Sequence, residues 1–166
     1  MDARTGEPLS RAGDTTTRDL VRTALFAAAS AALGYLLAGV PNLELISAAA
    51  FTSGTLLGVR RGAVAGGLAE AIYAGLNPNG VSQPVLYGAQ VLGFVLLGSA
   101  GGALRPLLDR SPLWLQTVLA AACGFALTLV YDVLTNAAVW VTARENASLA
   151  AVVLLGLSFP FPLAHS

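Results

Sequence analysis

The chain contains no lysine, one cysteine (Cys123), one histidine (His165) and few charges of either sign. Each scarcity removes a class of function. A phosphate-binding P-loop needs a lysine for the β- and γ-phosphates, so this chain cannot carry one. One cysteine and one histidine do not make a Cys/His zinc site, and a lone cysteine cannot close a disulfide within the chain. Charged residues are 11 % of the 166 residues, against roughly a quarter in a soluble globular domain. That is too little charge to coat a soluble sphere. Nine basic residues, all arginine, are balanced by nine acids, and the net charge of zero gives no reason to expect nucleic acid as partner. No cofactor is expected. What the chain has in abundance is apolar surface: 55 % hydrophobic residues and a mean hydropathy of +0.71. This is the composition of an integral membrane protein of one domain.

The first 18 residues, Met1 to Arg18, mix arginine with acids, threonine, proline and glycine, and read as a disordered tail. The interspersed acids and the late apolar run argue against a cleaved signal peptide. Residues 19–166 read as a transmembrane helical domain. Apolar runs follow at Leu20–Ala38, Leu45–Gly58, Gly62–Leu76, Val85–Leu104 and Leu113–Trp140. A helix needs roughly 20 residues to cross ~30 Å of hydrocarbon. The first, fourth and fifth runs meet that length. The second and third are about 15 residues, ~22 Å of helix, and either span a thinned bilayer or form a buried hairpin. A sixth run starts near Leu149 and is broken by Pro160 and Pro162. The expected fold is an all-α integral membrane protein: a compact bundle of five full transmembrane helices and an incomplete sixth, the chain ending at or inside its last helix.

Arginine sets the orientation. With a cytoplasmic N-terminus, the inner segments carry Arg4, Arg11, Arg18, Arg22, Arg60, Arg61, Arg105 and Arg110, and the outer loops only Arg144. The topology is that of a multi-pass membrane protein with the first 18 residues inside.

Polar side chains are costly in lipid, so their positions inform. Glu70, Tyr73 and Asn77 share one face of the third helix, Gln83, Tyr87 and Gln90 one face of the fourth, and Thr128, Asp132 and Thr135 one face of the fifth, with Tyr131 and Asn136 alongside. Asn42 and Glu44 lie between the first two helices. Under the assigned topology all these groups collect near the outer side and would line a polar cavity open to the outside. Plainer roles stand beside that one. Glu70 and Gln90 suit interhelical hydrogen bonding, Tyr87 and Tyr131 an aromatic belt, and Asp132 an interfacial position. Asn42, Asn77 and Asn79 suit turns, and Glu44 suits a helix N-terminus. Trp114 and Trp140 read as interfacial anchors, and Gly98, Gly101 and Gly102 as internal packing. On the first helix Ala24, Ala28 and Ala32 form a smooth ridge, flanked by Ala27 and Ala31, on which another helix can approach closely.

These residues, taken in order, resemble a known family. Pro41-Asn42-Leu43-Glu44, the Gly58–Gly67 hairpin, Glu70-Ala71-Ile72-Tyr73 leading to Asn77-Pro78-Asn79-Gly80, Gln90, and Tyr131-Asp132-Val133-Leu134-Thr135-Asn136 look like the substrate-binding (S) component of energy-coupling factor (ECF) transporters. The resemblance covers about Asp19 to Ser166. It implies a bundle of usually six helices that binds a vitamin or related micronutrient from outside. It also implies partners that supply the energy: a transmembrane coupling protein and two ATP-binding cassette ATPases. The chain itself would be no enzyme. By this resemblance the substrate-binding residues are drawn from Asn42, Glu44, Glu70, Asn77, Gln83, Tyr87, Gln90, Asp132 and Asn136, and Ala24, Ala28 and Ala32 dock the coupling protein. The alternative is a small membrane scaffold or assembly protein with no transported ligand.

Overall fold

The computed structural model describes residues 9–36, 45–77, 80–143, 148, 150 and 151. Five helices account for nearly all of them: α1 (Leu9–Leu36), α2 (Leu45–Leu57), α3 (Val59–Gly75), α4 (Pro84–Leu108) and α5 (Leu113–Ala143). No strand occurs among the described residues. The all-α expectation holds, and α1 reaches back to Leu9, into the segment read as a tail.

The expectation of five full spans is corrected. Three helices are long and apolar enough to cross a bilayer: Thr16–Leu36 within α1, Pro84–Leu108 and Leu113–Thr142. α2 has 13 residues and α3 has 17, which at 1.5 Å per residue is ~20 Å and ~26 Å. The reason is local. Gly58 adopts φ 86°, a left-handed conformation that glycine tolerates without a Cβ penalty, and it turns the chain back just before Arg60 and Arg61, which separate the two apolar runs. α2 and α3 therefore form a tight antiparallel hairpin. Apart from Ala150 and Ala151, the sixth run falls outside the described residues.

Glycine makes the central contacts. A methyl group built on Gly54 would overlap the carbonyl oxygen of Gly98, and one on Gly98 would overlap the carbonyl oxygen of Gly62. Gly66 meets the Phe94 carbonyl, Gly101 the Phe51 carbonyl, and Gly102 the backbone of Val59. With lipid as solvent on both sides of a seam, helix association draws on close packing rather than on water exclusion. Here α2, α3 and α4 meet backbone to backbone. Above this seam lies a small cluster of Ile46, Ala50, Ala69 and Phe94, with Tyr73, Leu97 and Tyr131 against it. α1 closes the other side. Thr23, Ala27, Ser30, Ala31 and Gly34 turn inward, and Gly34 makes room for the Tyr73 ring, whose nearest atom would be 2.9 Å from an added methyl. Among the described helices α5 packs against α4 alone.

The two ends of the bundle differ in kind. At one end Arg61 pairs with Asp19, and Arg105 Nη1 donates to the Leu56 carbonyl at 3.4 Å. Those contacts gather Arg18, Arg22, Arg60, Arg61, Arg105 and Arg110 at a single end. The opposite end holds Tyr35, Tyr73 and Tyr87 with Asn77 and Gln83. Tyr35 Oη donates to the carbonyls of Ile72 (3.0 Å) and Tyr73 (3.1 Å), and the Tyr35 and Tyr73 rings lie 5.1 Å apart. The outer surface is apolar, with Leu20, Leu25, Leu56, Val118, Phe125 and Leu113 exposed. An apolar surface of this extent suits a lipid environment rather than water. Trp114 and Trp140 are exposed at opposite ends of α5.

Candidate functional site

A groove of about 740 Å³ lies between α2, α4 and α5. It exists because α5 leans on α4 without touching α2. The 47/48/51/52 face of α2 supplies Ser47, Ala48, Phe51 and Thr52 to one wall. α4 supplies the floor through Gly93, Phe94 and Leu97. α5 supplies the far wall through Ala120, Gly124, Thr128, Tyr131 and Asp132. The lining is mainly apolar, with a few polar groups placed around it, as small-molecule sites are built.

Gly93 and Tyr131 fix how α5 sits. The Tyr131 ring lies directly over Gly93, where an added methyl would overlap it. The same ring stands edge-on to Phe94, with centroids 5.9 Å apart and planes at 79°, an arrangement aromatic pairs favour. Asp132 follows Tyr131 and so enters the groove wall. The hydroxyls nearby are held by their own helices: Thr52 donates to the Ala48 carbonyl (2.7 Å) and Thr128 to the Gly124 carbonyl (3.0 Å). The Asp132 carboxylate and the remaining lone pairs of Thr128 make the α5 wall rich in acceptors, and Thr52 adds one from the α2 wall.

The other residues expected at the site fall in several places. Glu70 is buried, with 3 % of its surface exposed, on α3 and away from the groove lining. The α3–α4 register pairs Gly62 with Gly98 and Gly66 with Phe94; one turn further it sets Glu70 level with Gln90. Gln90 is half-buried, and its Oε1 is buried with no hydrogen-bond partner, which is costly for an amide oxygen. Tyr87 faces Gly75 and donates its hydroxyl to the Ala71 carbonyl at 3.0 Å, so it clamps α4 to α3. Asn136 Nδ2 donates to the Asp132 carbonyl at 2.7 Å within α5. Asn77 follows the end of α3, and Gln83 precedes α4, where its carbonyl accepts from the Tyr87 amide at 2.8 Å. Asn42 and Glu44 lie outside the described residues.

Of the seven expected substrate-binding residues that are described, Asp132 alone lines the groove. Thr128 and Tyr131, noted beside it in the sequence, line it too. Ser47 and Thr52 escaped sequence reasoning. Their signal was two hydroxyl residues among apolar neighbours, on adjoining stripes of a short helix. On α1 the expected ridge divides cleanly. Ala27 and Ala31 are buried at 2 % and 3 %, whereas Ala24, Ala28 and Ala32 are exposed.

Comparison with protein-family models, curated proteins and solved structures finds no match.

Proposed function

We propose that this chain is the membrane-embedded substrate-binding subunit of an ECF-type importer. It captures a vitamin-sized micronutrient in the α2–α4–α5 groove and delivers it inward with a separate module. That module comprises a transmembrane coupling protein and two ATP-binding cassette ATPases. The observation that carries the reading is the groove: about 740 Å³, within the roughly 300–1,000 Å³ range of small-molecule sites. Its aromatic residues Phe51, Phe94 and Tyr131 suit a flat apolar body. Its acceptor-rich wall, centred on Asp132, suits a ligand edge bearing N–H or cationic groups.

Two further features support the reading. Arginine at one end of the bundle makes that end cytoplasmic by the positive-inside rule, so the tyrosine- and amide-bearing end faces outside a prokaryotic plasma membrane. The exposed Ala24–Ala28–Ala32 ridge offers the coupling protein a surface of close approach. A small membrane scaffold would use the same ridge and leave the groove without an occupant.

The test is ligand binding by the purified full-length chain in lipid nanodiscs. Thermal unfolding is followed against a panel of water-soluble vitamins and related micronutrients, without ATP. One compound should raise the unfolding temperature in a saturable way, as ligands of the folded state do. A panel that leaves the temperature unmoved throughout overturns the importer reading.

A further inference from the structure

The arginine end carries a second depression, of about 280 Å³, between α1 and the start of α3. Thr16, Asp19, Leu20 and Thr23 line it from one face of α1, and Arg60, Arg61 and Val64 from the first turns of α3. Its charges do not cancel. Asp19 is committed to Arg61, and Thr23 Oγ1 donates to the Asp19 backbone carbonyl at 2.8 Å. Arg60 has no ion-pair partner among the described residues. Its position makes this unfavourable. The positive end of a helix dipole favours acids, not arginine, and the first turn of α3 contains no acid and no side-chain cap. Beside the charge, Leu20 and Val64 stand 66 % and 52 % exposed, on the surfaces that face lipid.

We propose that this depression binds the phosphate headgroup of an anionic phospholipid, with Arg60 as its principal contact and Leu20 and Val64 against the start of an acyl chain. The ligand supplies the negative charge that the first turn of α3 lacks. A guanidinium offers a planar fork matched to phosphate oxygens, and basic pockets between membrane helices take anionic headgroups by this chemistry. The apolar pair next to Arg60 selects a lipid over a free anion. This inference rests on the chain's residence in a membrane and not on the importer reading.

The experiment is native mass spectrometry of the full chain from detergent, with equal amounts of phosphatidylglycerol and phosphatidylcholine added. The wild type should retain phosphatidylglycerol preferentially. Arg60→Gln should lower that retention about fivefold, the effect of one basic contact near a membrane surface. Arg60→Lys should keep most of it, and Arg110→Gln, at the same end but outside the depression, should leave it unchanged. Unfolding temperatures in phosphatidylcholine nanodiscs should match across the variants, which separates lost binding from lost fold. Equal retention of the two lipids, or an Arg60→Gln variant that retains phosphatidylglycerol like the wild type, overturns the proposal. Displacement of the lipid by millimolar inorganic phosphate overturns it as well, because it assigns the depression to a free anion.

Discussion

Gly54 and Gly98 meet backbone to backbone, so closely that a single methyl group on Gly54 would occupy the space of the Gly98 carbonyl oxygen. Backbone cannot rotate aside as a side chain can. On the α3 side a methyl on Gly98 would overlap the Gly62 carbonyl oxygen, so Gly98→Ala should force α3 away from α4 and destabilise the fold by about 1–3 kcal/mol. Gly88→Ala is the matched control. It lies on the same helix with open space around it, and it should be neutral or stabilise by up to about 1 kcal/mol through helix propensity. Reversible unfolding in mixed micelles measures both.

Tyr35 tests the opposite end of the bundle. Its hydroxyl donates to two carbonyls near the end of α3, while its ring packs on Tyr73. Tyr35→Phe keeps the ring and removes only the donor. The expected loss is about 0.5–1.5 kcal/mol, read in the same unfolding assay.

Asp132 separates binding from folding. The Asn136 side chain bonds the Asp132 backbone carbonyl and not its carboxylate, so Asp132→Asn leaves that contact in place. The variant should unfold within about 0.5 kcal/mol of wild type. Its affinity for the groove ligand should fall at least about tenfold where the carboxylate meets a cationic or N–H group. Isothermal titration with the compound identified in the vitamin panel provides the number. Unchanged affinity removes Asp132 from the site.

Neighbouring alanines on α1 should respond in opposite ways. Ala27 is 2 % exposed, and Ala27→Leu overpacks the α1 contact at a cost of about 1–3 kcal/mol. Ala28 faces outward, and Ala28→Leu should leave unfolding and ligand affinity unchanged. It should abolish co-purification with a coupling protein, because a bulky side chain holds the partner helix off the ridge. Pull-down of the coexpressed module reads the difference. Survival of the complex in Ala28→Leu moves the docking surface elsewhere.

Much of this was written in the chain. Arginine placement anticipated the single basic end later seen in the Arg61–Asp19 and Arg105–Leu56 contacts. Helical spacing anticipated that Glu70 and Gln90 would share a level, which the glycine register sets. Gly98, Gly101 and Gly102 were legible as internal packing. The sites of Ser47 and Thr52 were not. Spacing assigns residues to faces of one helix, whereas a groove depends on which faces of separate helices leave a gap. The gap at α2 arises because α5 is seated by Tyr131 on Gly93, a pairing with no local signature. The number of spans was also misjudged. Two runs of about 15 residues were counted as full spans, whereas α2 and α3 have 13 and 17 residues and form the hairpin that the sequence offered as the other possibility, turned at Gly58.

Among the described helices α5 is attached to α4 alone, which gives the bundle an unequal construction. Glycine contacts lock α2, α3 and α4 at backbone distance, leaving those three no slack to widen between them. α5 is held at its start by the turn through Ser111 and Pro112 and further along by the Tyr131 ring over Gly93. The width of the groove is therefore set by how α5 seats on α4, whereas the α1 ridge is built on a helix that α5 does not pack against. Under the importer proposal, ligand binding and partner docking fall on separate parts of one small molecule: the α5 side of the groove and the outer face of α1.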